Sequence, residues 1–264
     1  MQIVDYNTPM TALEAVLLGI LEGATEFLPI SSTGHLILAQ YLLGIAESPF
    51  TTSFLIAIQL GAIAAVVVSF WRSFLDAEIV KRLLTAFVPT AIVGFLLYKV
   101  IKGFLLTSEL TVVIALLIGG IFLIALELLH KEKVDGTNSL RAISYKQAFL
   151  IGLFQSLAIV PGVSRSGATI AGGLLLGLRR VAVVEFSFLL AVPTMLAATG
   201  YDLLKTYSTF EAGNIGLMLL GAGTAFVVAL LALRFLLTFV KTRTFIPFGI
   251  YRILLAVVFL AFVL

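Results

Sequence analysis

Six stretches of about twenty mostly apolar residues run along the chain, at 50–70, 84–103, 109–129, 183–204, 215–240 and 246–264. Each has the length of a single membrane-crossing helix. Two other apolar regions, 11–46 and 146–180, are interrupted near their middles. The first is broken by Leu28-Pro29-Ile30-Ser31-Ser32-Thr33-Gly34-His35, the second by Val160-Pro161-Gly162-Val163-Ser164-Arg165-Ser166-Gly167. The arms on either side hold only 10–16 residues, a length that suits a helix-loop-helix entering and leaving by one face of the bilayer. The pattern therefore predicts an all-α polytopic membrane protein: two re-entrant hairpins and six spans.

The two broken regions resemble each other. Residues 14–37 align without gaps on 147–170 at an offset of 133, with Ser31/Ser164 and Gly34/Gly167 at the breaks and Glu22 opposite Gln155. Ser53-Phe54-Leu55-Ile56-Ala57 matches Ser187-Phe188-Leu189-Leu190-Ala191 at an offset of 134. One membrane domain is expected, built from halves at about 1–133 and 134–264. Each half has one hairpin and three spans. Three is odd, so the second half is inserted upside down, as in inverted-repeat membrane proteins.

Composition narrows the class further. Charged residues make up 12% of the chain and hydrophobic ones 61%, which leaves nothing for a sizeable soluble domain. There is no cysteine, so disulfides, thiolate metal sites and a cysteine nucleophile are excluded. The first 15 residues carry Asp5 and Glu14 but no Lys or Arg, unlike a cleavable signal peptide. Net charge is +3, and no nucleic-acid partner is expected. With both termini outside, the inner loops collect eleven Lys and Arg and the outer loops three (Lys99, Lys102, Lys205). The positive-inside rule then places the termini, and the mouth of the first hairpin, on the extracytoplasmic side of the cell membrane.

The polar residues at the breaks carry the candidate chemistry. Glu22 and Glu26 stand four residues apart on one face of an apolar helix. Each costs about 2.5–3.5 kcal/mol at a helix centre in lipid, so a divalent cation, a shared proton or an arginine is expected to offset them; otherwise they snorkel at the membrane edge. Pro29 ends that arm. Ser31, Ser32 and Thr33 precede a new helix whose free N–H groups form an anion site, with Gly34 allowing close approach and His35 following at once. The second break adds Arg165, whose fork fits phosphate oxygens or pairs internally with Glu22 or Glu26. Together these groups supply the parts of a phosphoryl-transfer site, and the surrounding lipid suggests a substrate with a membrane-embedded tail. Glu185 reads as a salt-bridge partner of Arg179 and Arg180, Gln59 as a cavity-lining or helix-bridging residue, and His130 as a solvated loop residue.

Glu22 to His35 and Pro161 to Thr169 resemble the two signatures of the undecaprenyl pyrophosphate phosphatase family, also called bacitracin-resistance proteins. Length, segment order and Glu185 to Ala191 are similar too, so the likeness covers the whole chain. The resemblance implies an inverted-repeat fold, often dimeric, stimulated by Mg²⁺ or Ca²⁺. It implies hydrolysis of undecaprenyl diphosphate to the monophosphate, recycling the carrier for cell-wall polymers such as peptidoglycan. Carried over position by position, the site is Glu22 and Glu26, which would also hold the metal, with Ser31, Ser32, Thr33, Gly34 and His35, and with Ser164, Arg165, Ser166, Gly167 and Thr169. Ser32 then attacks the terminal phosphorus while His35 carries the proton, or Ser32 only binds and His35 attacks or activates water. The rival class is a transporter or flippase of a polyprenyl phosphate, since paired re-entrant hairpins are also transporter architecture. The acid-phosphatase-like lipid phosphatases need a second catalytic histidine, and His130 has no such context.

Overall fold

The structure, a computed structural model, describes residues 10–46, 48–100, 109–130, 132, 136–206 and 215–262. Asp5, Lys102, Lys131 and Lys133, and the expected span ends at 103 and 264, lie outside those residues. Among the described residues every long element is helical and no strand forms; two single-turn 3₁₀ segments, at 140–142 and 157–159, join the helices.

The first interrupted region folds as α1 (Ala12–Thr25) and α2 (Ser32–Leu43), the second as α7 (Tyr145–Ser156) and α8 (Arg165–Leu175). At about 1.5 Å per residue none of these arms exceeds roughly 21 Å, too short to span. Both first arms open on a capping box, Thr11 with Glu14 and Ser144 with Gln147. Both second arms are entered through a serine with positive φ, Ser31 (69°) and Ser164 (74°). These pairs stand at the sequence offset of 133.

Between and after the hairpins run α3 (Pro49–Ser69), the short α4 (Trp71–Phe74), α5 (Ala77–Val100), α6 (Glu109–Leu129), α9 (Arg180–Thr206), α10 (Ile215–Phe239) and α11 (Ile246–Phe262). Five of them, α3, α5, α6, α9 and α10, are long and apolar enough to cross a bilayer, and the chain is a multi-pass membrane protein. The sixth expected span is α11, a shorter apolar helix. α5 begins seven residues before the apolar run because Asp76 caps it, its Oδ1 accepting the Glu78 N–H at 3.0 Å.

The packing of the two hairpins is reciprocal. α1 lies along α10 and α7 along α5, α3 meets α9, and α6 runs with α11. Close approach explains two aligned glycines: a Cβ on Gly19 would press into the Gly221 carbonyl oxygen, and one on Gly152 into that of Ala86. The largest apolar cluster, including Phe27, Phe186 and Phe188, sits under the first break, with the Phe27 and Phe188 rings edge to face at 5.5 Å.

The basic loops gather into connected groups. Arg82 donates to the Ile143 carbonyl, and Arg141 pairs with Asp76 at 2.5 Å. Arg180 pairs with Glu127 at 2.7 Å, and Glu127 also accepts the Phe245 N–H. Arg179 and Arg180 therefore turn to Glu127 and Glu132, not to the expected Glu185, which lies further along α9 and has no ion pair among the described residues. Gln59 makes no hydrogen bond there either, so the expected helix-bridging role is not observed.

Candidate active site

The two breaks meet. Ser166 at the start of α8 donates its hydroxyl to the Leu28 carbonyl at 2.8 Å, tying the second loop to the first. Arg252 of α11, 1% exposed, reaches both loops: it donates to the Val163 and Gly162 carbonyls at 2.9 Å and to that of Pro29 at 3.4 Å. Its remaining donors go to the Ala115 and Leu116 carbonyls of α6. Among the described residues no carboxylate pairs with this guanidinium. Five backbone oxygens solvate it instead, which matches the five N–H groups of arginine.

Where the loops touch, ionisable side chains of both hairpins converge. Arg165 pairs with Glu26, Nη2 to Oε1 at 2.9 Å, with the two side chains only 12% and 8% exposed. Its Nη1 donates to the Ser187 carbonyl at 2.7 Å, and its Nε is buried without a partner. The guanidinium also lies 5.8 Å from the centre of the Phe27 ring. The second carboxylate oxygen of Glu26 accepts the Ser32 hydroxyl at 2.6 Å. Glu22, one turn back on α1, is fully buried, and neither of its carboxylate oxygens has a hydrogen-bond partner. His35 is locked at both nitrogens, Nδ1 2.7 Å from the Ser31 carbonyl oxygen and Nε2 2.7 Å from the Tyr251 hydroxyl.

The remaining expected residues divide between the exposed Thr33 and those that build the two loop tips. Thr33 is exposed on the first turn of α2, and the Ser31 side chain makes no cap bond, so the first N–H groups of α2 have no side-chain cap. Gly34 packs against α6, where a Cβ would meet Leu116 at 3.3 Å; its small size serves that contact. On α8, Ser164 caps the Gly167 N–H at 3.1 Å and meets Ser166, and a Cβ on Gly167 would lie 3.3 Å from Arg252. Thr169 is fully buried, donating to its own helix and meeting the Ser187 hydroxyl at 2.6 Å. Ser164, Ser166, Gly167 and Thr169 thus shape the second tip and hold Arg165 in place. His130 ends α6, its N–H bonded to the Leu126 carbonyl.

Three residues the sequence reading left aside belong to this assembly: Ser187, Tyr251 and Arg252. Arg252 carried a usable signal, since an arginine in an apolar helix is costly wherever it occurs. Ser187 carried one too, since it lies in the repeated segment that also bears the family likeness, whereas Tyr251 carried none because only the fold brings it to the loops.

The donor set around Glu22 and Glu26 fits a hard divalent cation. Among the described residues no group of three or more His, Asp or Glu side chains converges. Two carboxylates completed by water and substrate phosphate are, however, the usual protein share of a Mg²⁺ site. Glu22 supplies two unengaged oxygens for it.

Residues 15–258 match the family model described as bacitracin resistance protein BacA. A protein of Sulfurihydrogenibium sp. (strain YO3AOP1) named undecaprenyl-diphosphatase is 54% identical over 250 residues, 95% of this chain and 98% of its own. Proteins of the same name from Aquifex aeolicus (51% identical) and Persephonella marina (52%) each align over 256 residues, 97% of this chain and their whole length. With a match reaching from α1 into α11 and relatives this similar from end to end, the chain belongs to the bacitracin resistance protein BacA family.

Proposed function

We propose that the chain hydrolyses undecaprenyl diphosphate, or a polyprenyl diphosphate like it, to the lipid monophosphate and inorganic phosphate, returning the carrier to cell-wall polymer synthesis. The observation that carries this reading is the Ser32–Glu26–Arg165 chain, in which a hydroxyl, a carboxylate and a guanidinium from two hairpins share one buried spot. Arg165 leaves Glu26 for the substrate's phosphate oxygens, and its unpartnered Nε is a donor already free for them. The uncapped start of α2 faces the same anion.

Ser32 Oγ then attacks the terminal phosphorus. The Oγ–P bond forms as the bridging P–O bond breaks, the lipid monophosphate leaves, and Glu26 takes the hydroxyl proton along the existing 2.6 Å contact. In a second step water attacks the same phosphorus, the Oγ–P bond breaks and Glu26 returns its proton to Oγ, which releases phosphate and restores Ser32. His35, one turn along the same face of α2, carries the proton of that water. Assigning the serine's proton to Glu26 follows from the Ser32 hydroxyl pointing there and from both His35 nitrogens being engaged elsewhere. Glu22 and Glu26 would hold Mg²⁺ or Ca²⁺, which when bound neutralises phosphate charge.

The reciprocal packing, the paired capping boxes and the paired positive-φ serines support an inverted repeat with halves at about 1–133 and 134–264. The excess of basic residues in the loops grouped around Glu127 and Asp76 supports a cytoplasmic position for that end, with the site opening on the extracytoplasmic side. The homodimer rests on the family likeness alone.

Purified protein in detergent with Mg²⁺ is expected to liberate inorganic phosphate from farnesyl diphosphate and to stop on chelation. Ser32→Ala is expected to lose at least about 10³-fold in turnover. Absence of phosphate release by the wild type would favour the transporter class; near-normal release by Ser32→Ala would remove the serine nucleophile.

A further inference from the structure

His35 is 5% exposed, and its two ring nitrogens contact quite different groups. The Ser31 carbonyl, 2.7 Å from Nδ1, can only accept, so Nδ1 keeps its proton whatever charge the ring carries. Ser31 has a positive φ, and the same carbonyl also accepts the His35 backbone N–H at 3.4 Å. Nε2 is therefore the only ring atom that exchanges a proton. It lies 2.7 Å from the hydroxyl of Tyr251, which donates to it when the ring is neutral. The two ring planes are within 5° of each other. Tyr251 stands next to Arg252 on α11, so two consecutive side chains of one helix reach the site: Arg252 pins both loops, and Tyr251 holds the imidazole.

We propose that Tyr251 is a positioning residue for the hydrolysis: its hydroxyl fixes the rotation of the His35 ring and holds Nε2 ready until the water of the second step displaces it. The assignment rests on the reading of His35 as a proton carrier above. α11 is thereby part of the catalytic assembly as well as a membrane helix. Removing the hydroxyl while keeping the ring leaves Nε2 without a partner and the imidazole free to turn about its single remaining bond to Ser31. The loss falls on turnover, because Tyr251 touches the histidine and not the phosphate.

The test uses the full chain in detergent. His130→Gln, a change outside the site, leaves His35 as the only histidine, so ¹⁵N signals from histidine-labelled protein report its ring alone. In that background Tyr251→Phe is expected to shift the Nε2 signal toward that of a nitrogen without a hydrogen bond. It is also expected to lower kcat roughly 10- to 100-fold, a loss of the size seen for outer partners of metal-bound histidines, with KM for farnesyl diphosphate changed less than about twofold. Thermal unfolding monitors the fold, and Tyr251→Leu, which removes hydroxyl and ring together, is expected to be at least as slow. Unchanged kcat in Tyr251→Phe overturns the proposal, as does a fall in kcat with the His35 signals unmoved. His35→Ala separates the levels. If it is inactive while Tyr251→Phe is normal, only the positioning role falls; if it turns over normally, the proton-carrier reading falls and the positioning role with it.

Discussion

Arg165→Ala is expected to lower phosphate release roughly 10³- to 10⁵-fold, the effect of withdrawing an arginine that neutralises charge in phosphoryl transfer. The structure explains why no neighbour replaces it. Arg165 is the only cation hydrogen-bonded to Glu26 among the described residues, and the other buried guanidinium nearby, Arg252, spends its donors on backbone carbonyls. The truncation also leaves Glu26 uncompensated beside the unpartnered Glu22, a cost of about 3–5 kcal/mol when a buried pair loses one member. Arg165→Lys separates chemistry from stability. It keeps a positive charge beside Glu26 but cannot hold the Ser187 carbonyl while presenting a planar pair of donors to the phosphate. It is expected to fold with a melting temperature near that of the wild type and still lose most turnover. A Lys variant with wild-type kcat/KM would show that charge alone is needed and that the planar fork is not.

Arg252→Leu is expected to damage the fold as well as the activity. The carbonyls of Ala115 and Leu116 belong to helix α6, but those of Pro29, Gly162 and Val163 lie in the loops and depend on this guanidinium. At about 1–3 kcal/mol for each buried acceptor left unpaired, the loss is on the order of 3–5 kcal/mol after partial relaxation. Thermal unfolding in detergent measures it. Limited proteolysis is expected to cut near the loops, and phosphate release is expected to vanish as the tips part. Arg252→Lys, with three donors on one nitrogen, restores part of the stability. Wild-type stability and turnover in Arg252→Leu would contradict the role assigned to α11.

The helices and the broken arms were legible because both depend on local rules. Apolar runs near twenty residues, Pro29 and Pro161 at the breaks, and serines at the new helix starts settle them before any tertiary contact forms. Glu26, Ser32, His35 and Arg165 were legible because polar side chains in an apolar arm are costly and therefore conspicuous. Their mutual orientation was not. The sequence cannot tell whether the Ser32 hydroxyl turns to His35 or to Glu26, since that depends on where α8 and α11 place Arg165 and Tyr251. The family resemblance carries Ser166, Gly167 and Thr169 over as substrate-binding residues. In the folded chain those groups are committed to holding the second loop against the first and to supporting Arg165. The ion pairs at the loop end show the same limit: Glu185 is nearer to Arg179 and Arg180 in the chain, yet Glu127 and Glu132 are nearer in space.

The central claim is that side chains of two hairpins act on one phosphoryl group, and a double-mutant cycle on kcat/KM for phosphate release tests it most directly. Ser32 and Arg165 come from different hairpins and share no hydrogen bond; each contacts Glu26. Ser32→Ala and Arg165→Ala are each expected to lose at least about 10³-fold, and the double variant to fall within about tenfold of the slower single, as for residues that act as one unit. Losses that multiply in the double variant would show two independent contributions and contradict a single shared site.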